Sequence, residues 1–118
     1  GVPEYLLVSS KKDYGTSFGA YYPPGGHVEG EESERDALIR EMKEELNIDI
    51  VPVHRIAETP GDVKGYTVSW WQCDSLSSDV KIDKEELADA GWFTQKEMKN
   101  LQLWPATKKF FDEYVFKE

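Results

Sequence analysis

The sequence has few residues of the kinds that form cross-links or bind soft metal ions. Its 118 residues include one cysteine, Cys73, and two histidines, His27 and His54. One cysteine excludes a disulfide within the chain and suits a reducing cytosol, and so few nitrogen and sulfur ligands argue against a zinc site. Long apolar runs are also missing, so we predict neither a membrane span nor a signal sequence. The expectation is a cytoplasmic protein without a membrane partner.

Basic residues are scarce as well. There are 14 lysines and arginines against 23 acidic residues, which gives a formal net charge of -9. Such a surface repels phosphate backbones, so no nucleic-acid partner is expected. The acidic excess is concentrated in residues 29–45, which hold eight acids and three bases. A small anionic substrate would therefore need a metal ion to bridge it to these carboxylates.

The chain does contain enough apolar material for one core. Hydrophobic residues make up 39% and aromatic residues 13% of it, which predicts a single domain over residues 1–118. Strands are predicted at residues 5–9, 48–58 and 66–73, a polar loop at 11–19 and a short extended piece at 18–22. A helix is expected from the cap Ser33 to Leu46. Thr94 and Glu97 have the spacing of a capping box, which predicts a short helix at 95–101, and another is expected after Pro105. This order of elements suits helices layered on a sheet.

Three glutamates, Glu41, Glu44 and Glu45, fall within five residues of the predicted central helix. At about 100° per residue they share one face, while a neighbouring apolar stripe is expected to press on the core. That stripe comprises Leu38, Ile39, Met42 and Leu46. Like charges at these spacings destabilise a helix by about 0.2–0.5 kcal/mol per pair, so a neutralising partner is expected. A hard divalent cation with oxygen ligands would serve.

A glycine-rich turn, Pro23-Pro24-Gly25-Gly26, stands shortly before this helix, and the two fit one long pattern. The pattern is G-x5-E-x7-R-E-U-x-E-E-x-G-U, where U is an aliphatic residue, and eight of its nine specified positions match. The matching residues are Gly26, Glu32, Arg40, Glu41, Met42, Glu44, Glu45 and Ile48. Only Asn47 departs, where glycine is usual, and asparagine is the next best residue for the left-handed conformation that ends a helix. The segment resembles the signature of the Nudix hydrolase family.

The resemblance implies an α/β fold, namely the family's α/β/α sandwich around a mixed β-sheet. It covers the signature strongly and the rest of the chain loosely, through a predicted Trp92-Phe93 strand followed by a helix. Family members usually carry another strand before residues 5–9, so whether an N-terminal segment precedes this chain stays open. The family hydrolyses a pyrophosphate bond in a nucleoside diphosphate linked to another group, and the implied cofactor is Mg²⁺ or Mn²⁺.

Several signature residues acquire roles from this resemblance. We expect Glu44 and Glu45 to be the primary metal ligands and Glu41 to be a further one, direct or through water. The carbonyl oxygen of Gly26 is implied to face the metal. Arg40 is expected to orient one of these carboxylates through a charge-assisted hydrogen bond.

Substrate contacts are expected at the glycine turn, because Gly25 and Gly26 let the backbone approach a ligand closely, and at Glu32 on the edge of the same network. Tyr66 stands near the place where dinucleoside polyphosphate hydrolases of this family carry a base-stacking tyrosine. Further aromatic residues that could clamp a nucleobase are Tyr21, Tyr22, Trp70 and Trp71. Alternation along a strand turns the two tryptophans to opposite faces, so at most one of them is expected at the substrate.

The sequence leaves two positions open for the general base. A base must lie within about 3 Å of the water it deprotonates, and in the family either a signature glutamate or one on a later loop takes this role. Glu41 is the signature candidate. Glu85 and Glu86 precede Trp92 where the later acid often stands, and Glu86 is preferred. The catalytic set predicted from the sequence is Arg40, Glu41, Glu44 and Glu86.

The resulting hypothesis is a Mg²⁺-dependent pyrophosphohydrolase acting on a small nucleotide derivative: a nucleoside triphosphate, a dinucleoside polyphosphate or a nucleotide sugar. The alternative is a nucleotide-binding sensor without catalysis, although the complete set of acids argues against it. A third is an acidic calcium-binding or structural domain, but the alternating acids of an EF-hand loop are missing from this segment. The physiological substrate, the preferred metal and the formation of a homodimer stay open.

Overall fold

A computed structural model describes residues 1–12 and 19–117 of the chain, so the loop predicted at residues 11–19 lies largely outside the described residues. The elements in chain order are β1 (Glu4–Ser10), β2 (Tyr21–Tyr22), α1 (Glu34–Leu46), β3 (Ile50–Pro60), β4 (Thr67–Ser75), β5 (Leu87–Thr94), α2 (Gln95–Met98) and α3 (Pro105–Phe110). Helix α3 continues as a π-helical segment, Phe111–Val115.

The strands pair in two groups. Strand β1 lies between β2 and β5 in an antiparallel group, and β3 forms a long antiparallel hairpin with β4. A parallel bridge joins Tyr21 to Leu103, so the pairing includes both directions. The hairpin register shifts between Pro52 and His54, next to a proline that cannot donate a hydrogen bond to the ladder.

The core has two layers because neighbouring residues of β1 point to opposite faces. Leu7 packs with residues of the C-terminal helices and of β4: Trp70, Met98, Phe110 and Phe111. Val8 packs instead with residues of α1 and the segments near it: Met42, Leu46, Ile48 and Leu87. Each fully buried side chain of this size stabilises the fold by about 1.5–3 kcal/mol. Helices therefore cover both sides of β1, which is the predicted α/β/α arrangement.

The ends of α1 follow the sequence prediction. Ser33 caps the helix, since its Oγ accepts a hydrogen bond from the Asp36 N–H at 3.1 Å. Asn47 has φ 54 and lies in the left-handed region. Its N–H donates to the Lys43 carbonyl at 3.1 Å. Asparagine thus takes the place of the usual glycine and leaves the helix end intact.

Two local predictions were wrong. Ile39 was expected on the apolar stripe of α1, yet it is 41% exposed. The residues of α1 that are buried are Ala37, Met42 and Leu46. Helix α2 has the predicted capping box of Thr94 and Glu97 but ends at Met98 rather than near Leu101. The following N–H groups bond to carbonyls three residues back, which tightens the chain into a turn.

The two tryptophans of β4 face opposite sides, as strand alternation predicts. Trp70 is buried and stacks on Phe110 with ring centroids 4.0 Å apart. The Trp71 Nε1 donates to Glu34 at 2.8 Å and thereby joins the hairpin to α1. Within residues 1–12 and 19–117, no helix is long and apolar enough to cross a membrane. The cytoplasmic location stays a prediction.

Candidate active site

A cleft of about 410 Å³ opens between α1, the glycine turn, the end of β1 and the loop that precedes β5. The side chains and backbone that line it are Ser10, Lys12, Tyr22, Gly25, Gly26, His27, Glu29, Glu41, Glu44, Glu45, Asp83, Glu86 and Leu87. Acidic residues dominate the lining. The cleft therefore contains the three glutamates that the sequence places on one face of the helix.

The burial of α1 determines which residues reach the cleft. Met42 and Leu46 are locked into the core, so the helix cannot rotate, and Glu41 and Glu45 become partly buried beside the cleft while Glu44 stays exposed. The chain after the helix is also fixed, because the Asp83 N–H donates to the Glu45 carbonyl at 2.8 Å. This bond brings the loop before β5 against the end of α1.

Arg40 connects the carboxylates of α1 to the segment before the helix. Its Nε and Nη2 donate to the two carboxylate oxygens of Glu32 at 2.7 and 3.0 Å. Its Nη1 donates to Glu41 at 2.9 Å and to Glu44 at 3.1 Å, and Nη2 also reaches the His27 carbonyl at 3.1 Å. The hydrogen bonds from Arg40 lower the pKa of Glu32. These contacts are the ones that the predicted orienting role of Arg40 would require, and the role itself stays a prediction.

The two glycines of the turn differ sharply in the space around them. A Cβ added to Gly26 would lie 2.3 Å from the Glu41 Cδ, a distance at which one of the two groups must move. A Cβ added to Gly25 would have no atom within 4 Å. A side chain at position 26 would therefore displace either the turn or the Glu41 carboxylate.

Glu45 has the strongest electrostatic signature of the cleft. Burial raises the pKa of its carboxyl to about 7, with further contributions from the negative charges of Glu41, Glu86 and Glu44. A carboxyl that resists ionisation beside other carboxylates indicates a site with unbalanced negative charge. Among the residues that the structure describes, no group of three or more acids, cysteines or histidines is arranged so that it could hold a metal ion.

Of the remaining predicted site residues, one lines the cleft and three do not. Glu86 lines the cleft and Glu85 does not. Glu32 lies outside the lining and contacts it through Arg40. Tyr66, 60% exposed, precedes β4 instead of lying within it. It is also outside the lining, but its ring lies 6.4 Å from the ring of His27, which is a lining residue.

The other aromatic candidates are largely committed to the fold. Tyr22 lines the cleft, whereas the Tyr21 hydroxyl donates to Asp89 at 2.5 Å. Trp70 and Trp71 lie elsewhere and do not line the cleft. Of the four aromatic residues proposed as clamps, Tyr22 is the one that lines the cleft.

Sequence reasoning missed several lining residues. Lys12 and Ser10 reach the cleft because β1 ends there, and Asp83 does so through its backbone bond to the end of α1. Glu29 lies between two signature positions and forms an ion pair with Arg40 at 3.8 Å. No spacing in the sequence marks these residues, since their placement depends on contacts between distant segments.

The fold and the cleft together define an α/β protein whose central helix presents carboxylates to a glycine turn. The sequence model of the NUDIX domain family matches residues 3–114 of the chain. The chain belongs to the Nudix hydrolase family, whose members generally use divalent metal ions.

Curated relatives agree with this assignment, and a solved structure shares the fold. The chain is 28% identical over 96 residues to the human NAD-capped RNA hydrolase NUDT12, and the aligned region covers 76% of this chain and 21% of the relative. It is 29% identical over 98 residues to the NAD-capped RNA hydrolase NudC of Pectobacterium atrosepticum, with coverages of 83% and 36%. The chain thus spans about a fifth to a third of the length of these relatives. The crystal structure of a MutT NUDIX hydrolase from Burkholderia pseudomallei matches with a TM-score of 0.80 at 21% identity, over 95% of this chain and 88% of that one.

Proposed function

We propose that this chain is a divalent-metal-dependent pyrophosphohydrolase that cleaves the P–O–P bridge of a nucleoside diphosphate linked to another group. The observation that carries the proposal is the convergence of Glu41, Glu44, Glu45 and Glu86 on one cleft beside the glycine turn. Such an excess of carboxylates suits an anionic substrate only when a cation lies between them.

The chemistry of the donor set suits a hard divalent cation, which would draw together carboxylates that line one cleft without yet surrounding one point. The donor set consists of carboxylate oxygens near the backbone of Gly26, and Mg²⁺ and Mn²⁺ prefer such oxygen ligands. The raised pKa of Glu45 supports this fit, because a cation would relieve the unbalanced charge. We assign Glu44 and Glu45 as primary ligands, and Glu41 and the Gly26 carbonyl as further ones. When bound, the ion would neutralise charge on the phosphates and lower the pKa of a water molecule.

Arg40 and Glu32 hold the ligands in position in this proposal. The guanidinium is fixed on one side by both oxygens of Glu32, which leaves its Nη1 to orient Glu41 and Glu44. An arginine suits this role because its planar fork stays charged at all working pH values. Glu32 is then a positioning residue that acts through Arg40 rather than on the substrate.

Glu86 is our candidate for the general base. It faces the cleft from the loop opposite α1, whereas Glu85 on the same loop does not line the cleft. One oxygen of the competing candidate, Glu41, already accepts a hydrogen bond from Arg40 at 2.9 Å. Glu86 is more accessible to water, since about half of its side chain is exposed. A base must reach the attacking water directly, and this placement favours Glu86.

We propose that the nucleobase binds at the rim of the cleft, against Tyr66. The exposed ring of Tyr66 stands beside His27, and exposed aromatic faces stack on bases of any identity. The diphosphate would then lie over the backbone of Gly25 and Gly26. Because two relatives are named as NAD-capped RNA hydrolases, a dinucleotide of the NAD type is the first substrate to test. The net charge of -9 disfavours extended contact with RNA.

The test is a hydrolysis assay with a panel of NADH, ADP-ribose, dinucleoside polyphosphates, oxidised nucleotides and a short NAD-capped RNA, each with Mg²⁺, Mn²⁺ or EDTA. We expect release of a nucleoside monophosphate from at least one substrate with metal and none with EDTA. Nucleotide binding without hydrolysis would favour the sensor instead, and calcium binding without nucleotide binding would favour an acidic structural domain. No turnover of any substrate with either metal would overturn the proposal.

A further inference from the structure

We propose that Lys12 is a phosphate-binding residue, whose ammonium group contacts a non-bridging phosphate oxygen of the substrate in the cleft. The inference rests on the function proposed above. It concerns the side of the cleft opposite the carboxylates of α1, where β1 ends.

The backbone at the end of β1 gives Lys11 and Lys12 different surroundings. The Lys11 N–H donates to the Glu86 carbonyl at 3.1 Å, and the Lys12 N–H donates to the Ser10 Oγ at 3.0 Å. The Lys11 side chain is engaged outside the cleft, where its Nζ donates to the Lys84 carbonyl at 3.0 Å. Lys12 lines the cleft and Lys11 does not. The two adjacent lysines therefore differ in whether the side chain can reach a ligand in the cleft.

The charge of the cleft makes Lys12 distinctive. Its acidic lining residues are Glu29, Glu41, Glu44, Glu45, Asp83 and Glu86. Among the described residues, Lys12 is the one lysine or arginine that lines the same space. A phosphate group entering this cleft would be repelled by the carboxylates wherever no cation intervenes. Lys12 offers such a cation at a place that the proposed metal ligands do not occupy.

The Lys12 ammonium also keeps hydrogen-bonding capacity for a ligand. Its ion pair with Glu86 has an N–O distance of 3.9 Å, and the two side chains are 64% and 51% exposed. A pair this long and this exposed is weak, and an ammonium has three donors. A phosphate oxygen would therefore compete readily with Glu86 for Lys12, and its arrival would leave the Glu86 carboxylate unpaired.

A structural role would give a different result. If Lys12 only held Glu86 in place, its removal would change kcat, and the change would vanish in a Glu86→Gln background. If Lys12 binds phosphate, its removal raises KM and weakens nucleotide binding in both backgrounds. The two roles are therefore separated by the KM-against-kcat split and by a double-mutant cycle.

The experiment compares Lys12→Met with its matched neighbour Lys11→Met, and with Lys12→Arg, which keeps the charge. Calorimetry measures the binding of ADP and of adenosine in the presence of Mg²⁺, and steady-state kinetics are measured on the panel substrate with the highest turnover. We expect Lys12→Met to raise the Kd for ADP and the KM about tenfold without changing adenosine binding. Lys11→Met should leave all three values unchanged, and Lys12→Arg should restore most of the ADP affinity.

ADP binding by Lys12→Met that equals wild type would overturn the inference, as would equal losses in the two methionine variants. Failure of the wild-type chain to bind ADP would also overturn it. Suppose that the wild-type chain binds ADP but hydrolyses nothing, and that Lys12→Met weakens ADP binding. The proposed hydrolysis then fails, and Lys12 stands as a phosphate-binding residue. Circular dichroism checks that the variants are folded, which the exposure of Lys12 predicts.

Discussion

Two arginine-centred clusters meet helix α1, and their charges are balanced differently. The first joins a single guanidinium, that of Arg40, to four carboxylates: Glu29, Glu32, Glu41 and Glu44. The second joins Arg55 of β3 to two carboxylates, Glu34 and Glu58. Neutral donors complete the second cluster, because Ser69 and Trp71 also bond to Glu34.

The difference indicates which cluster binds a ligand. Around Arg55, donors and acceptors are matched, so the cluster is complete and joins α1 to the β3–β4 hairpin. Around Arg40, carboxylates outnumber the cationic groups and continue into the cleft with Glu45 and Glu86. Substitution of the exposed carboxylate Glu44 in the first cluster should therefore change activity at nearly constant stability. Substitutions in the second should change stability at constant activity.

The largest effect is expected for Glu44→Gln, which removes one charge with almost no change in shape. We expect turnover to fall roughly 100- to 1,000-fold, because the proposed metal loses a primary ligand. Stability should hardly change, since the side chain is exposed. Metal-dependent kinetics and thermal unfolding measure the two quantities.

The matched control is Glu31→Gln, an exposed glutamate just before α1 that does not line the cleft. It changes the net charge by the same amount and should keep turnover within about twofold. If Glu44→Gln behaved like this control, the assignment of Glu44 as a ligand would be wrong.

The next effect is expected at the glycine turn. Gly26→Ala forces a Cβ against the Glu41 carboxylate and should lower turnover about 10- to 100-fold by displacing a catalytic group. Gly25→Ala adds the same methyl group to open space and should cost much less. Kinetics on both variants compare the two positions, and equal losses would show that packing against Glu41 is not the cause.

A smaller effect, on stability, is expected in the Arg55 cluster. Glu34→Ala removes hydrogen bonds to Arg55, Ser69 and Trp71. It should lower the free energy of unfolding by about 1 kcal/mol, with solvent screening limiting the loss at this partly exposed site. Asp36→Ala is the control, because it removes an acid from the same first turn of α1 and should cost about 0.3 kcal/mol. A fall in kcat for Glu34→Ala without a loss of stability would contradict the idea that the Arg55 cluster serves stability and the Arg40 cluster serves activity.

The smallest expected effect is the pH dependence of the contribution that Glu34 makes to stability. Hydrogen bonds from Trp71 and Arg55 lower the pKa of Glu34 below its ordinary value of 4.5. Its contribution to stability is therefore present above pH 4.5 and is lost as the pH falls through the lower folded-state pKa. The difference in unfolding free energy between wild type and Glu34→Gln, measured by urea denaturation from pH 7 to pH 3.5, should shrink towards acid. A difference that grows towards acid would contradict the sign.

Features that depend on neighbouring residues could be predicted from the sequence. The cap Ser33, the left-handed Asn47 and the capping box of Thr94 and Glu97 each form within one turn of chain. The gathering of signature acids on one helix face also follows from helical periodicity alone. The same periodicity did not distinguish Ile39 from its buried neighbours, because the contacts that α1 makes decide how far its buried stripe extends.

Features that depend on distant segments could not be predicted. Lys12 reaches the cleft only because β1 ends beside the loop before β5. Trp71 was a candidate for nucleobase contact but donates to Glu34, 37 residues earlier in the chain. Tyr66 was expected near the substrate only from the family resemblance, because its contact with the ring of His27 spans the whole of α1 and β3. The packing of segments far apart in the chain sets these contacts, and no local spacing in the sequence marks them.

The most direct test of the central claim is anomalous X-ray diffraction from crystals of the chain soaked in Mn²⁺. If the surplus carboxylates form a metal site, an anomalous peak should lie in the cleft, within coordination distance of Glu44 and Glu45 and near Glu41. The same peak should disappear in crystals of Glu44→Gln. Manganese bound only elsewhere on the surface, with the cleft empty at saturating concentration, would contradict the account.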